Sequence, residues 1–244
     1  MRSALLAISF LTVLPVRLRG EVPHLGAAAG WFPVVGAAIG ALAGGIRAAF
    51  DPLVGPGAAS ILAVATLIVV TGALHQDGLA DCADGLGVRG DRERRLTVMR
   101  DSSIGTFGAL ALLIWVLLVA QALAELSCGD AVLALIAACA AARGAAVVHA
   151  ARVGPARPDG LGAGFVVARG ATAAATAASI AALALCLPLD AAAAAVAAVA
   201  LVAIGSSEMA RRTLGGRTGD TLGACVALAE AAALLVALGF QGSS

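Results

Sequence analysis

Three aspartates, Asp77, Asp81 and Asp84, stand at i, i+4 and i+7 in the stretch His75-Gln76-Asp77-Gly78-Leu79-Ala80-Asp81-Cys82-Ala83-Asp84-Gly85. On a helix they fall within about 60° of one another, on one face. Carboxylates so placed repel. A pair about 4 Å apart costs roughly 1 kcal/mol in water and about 4 near a protein surface, and like charges at i,i+4 weaken a helix. Nothing in the stretch offsets them, since the first basic residue to follow is Arg89. A divalent cation is the economical repair. Hard carboxylate oxygens suit Mg²⁺, with Mn²⁺ as a substitute, and such ions bridge carboxylates to substrate phosphates. The plain alternative is a solvated acidic turn. Against it, the acids sit at the mouth of an apolar segment and are interleaved with glycines, a setting in which ionisable residues mark function.

The elements that must position these acids are membrane helices. Of 244 residues, 61% are hydrophobic and only 13% charged, against about 45–50% and about 25% in an ordinary globular domain. The expected fold class is therefore all-α, a polytopic membrane helical bundle forming one domain over 1–244. Spans of about 20 apolar residues are predicted at 25–50, 58–74, 105–126, 131–150, 171–187, 191–206 and 221–240, about seven transmembrane helices. Gly36, Gly40 and Gly44 form a small-residue stripe suited to close helix packing. Residues 1–16 are too short to span comfortably. Arg17 and Arg19 follow them where a signal-peptide cleavage site would need small residues, so this segment is read as a retained helix at the cytoplasmic interface.

Charge then orients the bundle. With the N-terminus inside, segments 1–24, 75–104, 151–170 and 207–220 fall on the cytoplasmic side and hold every Arg except Arg47 and Arg143. The opposite turns carry Asp51, Glu125, Asp130 and Asp190 and no Arg, as the positive-inside rule requires. The same topology lets 75–104, 151–170 and 207–220 converge on one cytoplasmic-face site. A net charge of +1 and scarce aromatics exclude a nucleic-acid binder. All sixteen basic residues are Arg, and the five cysteines lack metal-ligand spacing and read as reduced bystanders.

Further residues could serve chemistry on that face. Asp101-Ser102-Ser103 precedes the 105–126 span, where Asp or Ser caps a helix and free amides attract phosphate. Arg100 adjoins Asp101, while Arg89, Arg92, Arg94 and Arg95 suit solvent or anionic headgroups. Arg211-Arg212-Thr213-Leu214-Gly215-Gly216-Arg217-Thr218-Gly219-Asp220-Thr221 reads either as a Gly-rich anion cradle, with Arg211, Gly216, Thr218 and Asp220 as contacts, or as a positive-inside anchor. Arg157 carries the same two readings. Arg143 and Glu230 are intramembrane charges, each roughly 10–17 Å from the cytoplasmic edge, best relieved by pairing; Arg143 also stands as a candidate substrate contact. His149 reads as a hydrogen-bonded boundary residue. His75 abuts the acids but points away from their face, and is kept as a catalytic candidate. With no nucleophile elbow and no zinc signature, the equipment is that of phosphoryl transfer.

These residues resemble the cobalamin synthase family, the adenosylcobinamide-GDP ribazoletransferases. The likeness rests on Phe10-Leu11-Thr12-Val13-Leu14-Pro15-Val16, Phe32-Pro33-Val34-Val35-Gly36, the 75–85 block, Met99-Arg100-Asp101-Ser102-Ser103-Ile104-Gly105, Gly160-Leu161-Gly162 and 213–223. Val13 departs from the family's basic residue, and Ala227 stands where an acid can occur. The resemblance implies a Mg²⁺-dependent enzyme of the bacterial inner membrane. In its reaction a hydroxyl of α-ribazole, or of its 5′-phosphate, attacks the diphosphate of adenosylcobinamide-GDP and GMP leaves. On that basis Asp77, Asp81, Asp84 and Asp101 are the expected metal ligands. Asp84, ahead of Asp81, is the expected base, and Arg100, Ser102, Arg157, Arg211 and 215–220 are the expected phosphate and guanosine contacts.

Rival readings are a CDP-alcohol phosphotransferase or aromatic prenyltransferase acting on a lipid diphosphate, and a cation or corrinoid transporter. The transporter reading fits less well, because the acids lie at the cytoplasmic edge without paired half-repeats. Membrane lipid, a second copy of the chain, or other corrinoid-pathway enzymes are the macromolecular partners such a protein would meet.

Overall fold

The computed structural model describes residues 2–18, 24–158 and 164–241. In order, the elements are α1 (Arg2–Leu11), α2 (Leu25–Ala28) running into a 3₁₀ turn (Ala29–Trp31), α3 (Phe32–Thr71), α4 (Leu74–Gly87), α5 (Arg92–Val98), α6 (Thr106–Glu125), α7 (Cys128–Arg152), α8 (Arg169–Cys186), α9 (Leu189–Leu214) and α10 (Gly219–Gly239). No strand occurs among the described residues; one isolated bridge pairs Pro155 with Arg217. The chain is an all-helical, multi-pass membrane protein. Six helical stretches among the described residues are long and apolar enough to cross a bilayer, the first of them covering Leu25–Thr71.

That first stretch is two arms. Gly55, at φ 78° and ψ 166°, breaks α3 between Pro52 and Pro56, a backbone conformation that glycine alone adopts cheaply. Were α3 continuous, its ends would lie about 60 Å apart and Arg47 about 20 Å from Ser60. Instead Arg47 Nε donates to Ser60 Oγ at 2.9 Å. The Val13 amide donates to the Val70 carbonyl at 2.9 Å, and Phe10, three residues earlier, stacks on Phe32. Arms 32–54 and 56–71 therefore double back on each other. The expected pair of spans is present, but its connection is shorter than predicted, because two prolines and a glycine reverse the chain without a loop.

α7 is the axis, buried along most of its length by α3, α8, α9 and α10. Its alanines let these helices approach closely. The predicted glycine stripe lies here: a Cβ on Gly36 would sit 2.3 Å from the Cys139 carbonyl oxygen, one on Gly40 2.3 Å from that of Leu135, and one on Gly44 3.0 Å from Val132 Cα. Large apolar side chains such as Phe107, Leu113, Ile114 and Leu117 of α6 face outward, as expected where lipid is the solvent. The predicted hairpin of 171–187 and 191–206 is formed by α8 and α9, turning at Pro188. However, α9 continues through Leu214, absorbing half of the expected 207–220 connection. Glu208 pairs with Arg211 and Arg212 one turn on, and such i,i+3 and i,i+4 pairs extend a helix into water. α1 is a short helix docked on the bundle through Ala7 and Leu11; Arg19 lies outside the described residues.

Candidate active site

The reversal that launches α4 is tight: Gly72 and then Ala73 both take left-handed backbone conformations, and Ala73 is the one non-glycine residue with positive φ among the described residues. α4 then runs against α10, close enough that a Cβ on Gly78 would meet the Asp220 carbonyl oxygen at 2.7 Å. As predicted, Asp77, Asp81 and Asp84 ride on one helix. The partner from outside the motif is Asp220, at the start of α10, whose carboxylate accepts from Thr218 Oγ1 at 3.1 Å. Burial, then the charges of Asp77, Asp220 and Asp84, push the Asp81 carboxyl up to about 7. Every charge acting on Asp81 is another carboxylate.

Two of the predicted acids have different surroundings. Asp84 turns to α6: its Oδ2 accepts the Gly105 amide at 2.7 Å and its Oδ1 the Gly108 amide at 2.9 Å. It fills the space that side chains at Gly105 and Gly108 would need and caps the helix N-terminus, the role expected of the Asp101 segment. Asp101 instead accepts the Ser103 amide at 2.9 Å in an exposed turn. That hydrogen bond holds its carboxyl below the usual range. Ser102 beside it is exposed. As the side chains lie, no three Asp, Glu, His or Cys residues among the described residues form a ready-made metal cage.

Behind the acids, α4 and α10 open onto a cavity of about 170 Å³ whose lining includes His75, Asp77, Asp220, Arg143, Phe32 and Phe165. His75 is 3% exposed and its Nε2 has no hydrogen-bond partner among the described residues. Burial, then the Arg143 charge, hold its pKa well below the ordinary value, so the ring is neutral. Arg143 and Glu230, 1% and 2% exposed, form the expected ion pair. His149 is hydrogen-bonded, as expected, to Ser207 and Thr221 at 2.9 and 3.1 Å, but it is fully buried rather than at the boundary.

The three polar connections do converge, and arginines hold them together. Arg92 donates to the carbonyls of Leu214 and Ala156 at 2.7 and 2.5 Å. Arg157 donates to the Leu96 carbonyl at 2.5 Å and acts electrostatically on Asp220. Arg217, 4% exposed, donates to the carbonyls of Val153 and Phe165. Gly216 lets that loop close on Ala156, whose amide would lie 2.5 Å from a Cβ there, and Thr218 caps α10. A groove of about 390 Å³ runs past Arg92, Arg100 and Arg157. Arg211 is not brought to the site: it is exposed and bound to Glu208 on its own helix. Gly160-Leu161-Gly162 lies outside the described residues. The clamping roles of Arg92 and Arg217 and the cavity aromatics were not read from sequence. One signal was there to find: Phe10, Phe32 and Phe165, three of only six phenylalanines, stack consecutively with centroids 5.7 and 5.5 Å apart.

A family model for cobalamin-5-phosphate synthase matches residues 3–238. The chain is similar to the adenosylcobinamide-GDP ribazoletransferase of Bradyrhizobium diazoefficiens, 42% identical over 242 residues, covering 97% of this chain and 93% of that protein. It is likewise similar to the adenosylcobinamide-GDP ribazoletransferase of Escherichia coli K12, 38% identical over 239 residues, covering 95% and 97%. No solved structure matches it.

Proposed function

The chain belongs to the cobalamin-5-phosphate synthase family, and from that premise we propose that it is an adenosylcobinamide-GDP ribazoletransferase of the bacterial inner membrane, working at the cytoplasmic face. The observation that carries the proposal is the meeting of Asp77 and Asp81 from α4 with Asp220 from α10, Asp77 and Asp220 lining a cavity and Asp220 feeling the charge of Arg157 from a groove bearing three arginines. A hydroxyl of α-ribazole, or of its 5′-phosphate, forms a new bond to the phosphorus that carries the cobinamide. The bond from that phosphorus to the GMP oxygen breaks, and GMP leaves. Asp81 receives the hydroxyl proton; with no cation bound, burial and the neighbouring carboxylates raise its carboxyl to about 7, in the range that suits a base at neutral pH. Asp84 gives up the role expected of it, because both of its oxygens hold α6. Arg92, Arg100 and Arg157 line the route for the phosphates and the guanosine.

Oxygen-only donors facing one another across two helices fit a hard divalent cation. Mg²⁺ is commonly held by one or two carboxylates plus substrate phosphates rather than by an all-protein cage. Asp77 and Asp220, facing each other across the two helices, would hold it, with Asp81 beside them left to take the proton. When bound it would neutralise charge on the diphosphate and on the departing oxygen. The segregation of arginines to the site end supports a cytoplasmic orientation. The deciding experiment follows GMP release from adenosylcobinamide-GDP by the purified protein. The expected result is release that requires α-ribazole, is abolished by EDTA and returns with Mg²⁺. Release that ignores ribazole or survives EDTA would overturn the corresponding half of the proposal.

A further inference from the structure

The cavity behind the carboxylates has two walls of opposite character. One is built from Phe10, Phe32 and Phe165, whose rings stack within 15° of parallel. Three separate segments of the chain contribute them: the end of α1, the start of α3 and the connection before α8. The other wall carries His75 and Arg143, both at least nine-tenths buried, and each presents a nitrogen, Nε2 and Nε, with no hydrogen-bond partner among the described residues. Buried polar atoms are ordinarily satisfied, and each exception asks for an explanation. Asp77 and Asp220 lie at the edge of the same cavity.

Size narrows the occupant. An apolar cavity of roughly 150 Å³ takes up a benzene ring, so about 170 Å³ suits one small flat ring system and excludes a corrinoid or a whole guanine nucleotide. Parallel phenylalanines favour an aromatic guest, and the unpartnered His75 and Arg143 nitrogens favour one that bears a hydrogen-bond acceptor in its ring. We infer that this cavity binds the benzimidazole base of the incoming ribazole, held against the Phe10–Phe32–Phe165 stack, with the one ring nitrogen not bonded to the ribose accepting a hydrogen bond from His75 Nε2–H beside Arg143. The identity of the guest rests on the transferase reading above. Seated there, the base leaves its ribose at the carboxylate edge, where the attacking hydroxyl is needed. The diphosphate substrate approaches from the other side, along the arginine groove.

The test uses the detergent-purified full chain and two probes of nearly equal shape, the N-substituted 1-methylbenzimidazole and the hydrocarbon 3-methylindene, titrated calorimetrically without corrinoid. Saturable 1-methylbenzimidazole binding is expected, at least about tenfold tighter than 3-methylindene. In His75→Phe that preference should shrink several-fold, and Ala146→Phe, which fills the cavity, should abolish binding of both. In turnover, Ala146→Phe should raise the ribazole KM at least about tenfold and leave that for adenosylcobinamide-GDP within about twofold. Equal affinity for the two probes, no saturable binding, or a rise confined to the corrinoid KM would overturn the inference. The wild-type probe pair decides it even where a variant fails to fold. Binding of 1-methylbenzimidazole in a protein that releases no GMP would support the cavity assignment and sink the transferase reading, so the two fail separately.

Discussion

Two of the charge groups embedded in this bundle are opposites. Arg143 and Glu230 lie in the core of α7 and α10, almost wholly buried, each the other's partner. Asp77, Asp81 and Asp220 lie at the end where α4 meets α10, and the charges that shift Asp81 all have its own sign. A pair of opposite charges neutralises itself, even though Arg143 keeps one guanidinium nitrogen without a hydrogen-bond partner among the described residues. A group of like charges is left incomplete by the fold and is relieved by a proton, a cation or a substrate that brings one. Separating buried charge into these two kinds distinguishes what the helices need for assembly from what they hold ready for a ligand.

The sharpest way to break that distinction is to halve the complete pair. Glu230→Ala strands Arg143 in an apolar core and should cost ~3–5 kcal/mol, whereas the double change Arg143→Met with Glu230→Leu should recover most of it; unfolding of the detergent-solubilised protein measures both. If the single variant is as stable as wild type, the pair is not structural.

Removing a like charge should have the opposite sign. Asp81→Asn is expected to slow GMP release at least ~100-fold while stabilising the metal-free protein at pH 8. Because the folded-state carboxyl titrates near 7, above its ordinary 3.8, ionised Asp81 opposes the fold at high pH. The wild type should therefore gain thermal stability as pH falls from 8 towards 4, and the Asn variant should lack that component. Melting curves of EDTA-treated protein across this range, set beside the rates, check both halves.

A smaller effect separates Asp84 from its neighbours on the same helix. As the cap of α6 it accepts one amide on each oxygen; Asn, which keeps one of the two acceptors, should lose less stability than Ala, for which about 1 kcal/mol is expected, and turnover should be largely kept in Asn. Turnover lost in Asp84→Asn at unchanged stability would restore it as a catalytic acid or base. Least of all, Arg211→Ala should leave the rate within about twofold, since an exposed ion pair on one helix contributes little. A large rise in the KM for adenosylcobinamide-GDP would bring Arg211 back to the site.

Much of the site was legible because its pattern is local. The 4- and 3-residue spacing of Asp77, Asp81 and Asp84 placed them on one helix, and arginine distribution placed three polar segments at one end; both are features of the structure. The capping contact of Asp84 was not legible because spacing tells which face a side chain occupies, not what approaches that face. The N-terminus of α6 arrives there from 21 residues away, through the gap left by Gly105 and Gly108. Arg211 was misread as a loop residue because the pairing of Glu208 with Arg211 and Arg212 prolongs α9. Asp220 was found in sequence, but only as a phosphate contact in a glycine-rich loop. Its place opposite Asp77 depends on α10 packing against α4 across Gly78.

Composition, apolar run lengths and short-range spacing by themselves determined that this is a membrane helical bundle, that its acids share a helix and that Gly36, Gly40 and Gly44 form a packing stripe. These follow from hydrophobic transfer and the 3.6-residue period, which act within a few turns of chain. Tertiary packing alone decided the fold-back at Gly55, the capping of α6 by Asp84, the joining of Asp220 to Asp77 and Asp81, and the stacking of three phenylalanines around a cavity. Each of these depends on which surfaces come to lie within a few ångströms of one another. That is set by the close approach of helices distant in sequence, and no periodicity along the chain encodes it.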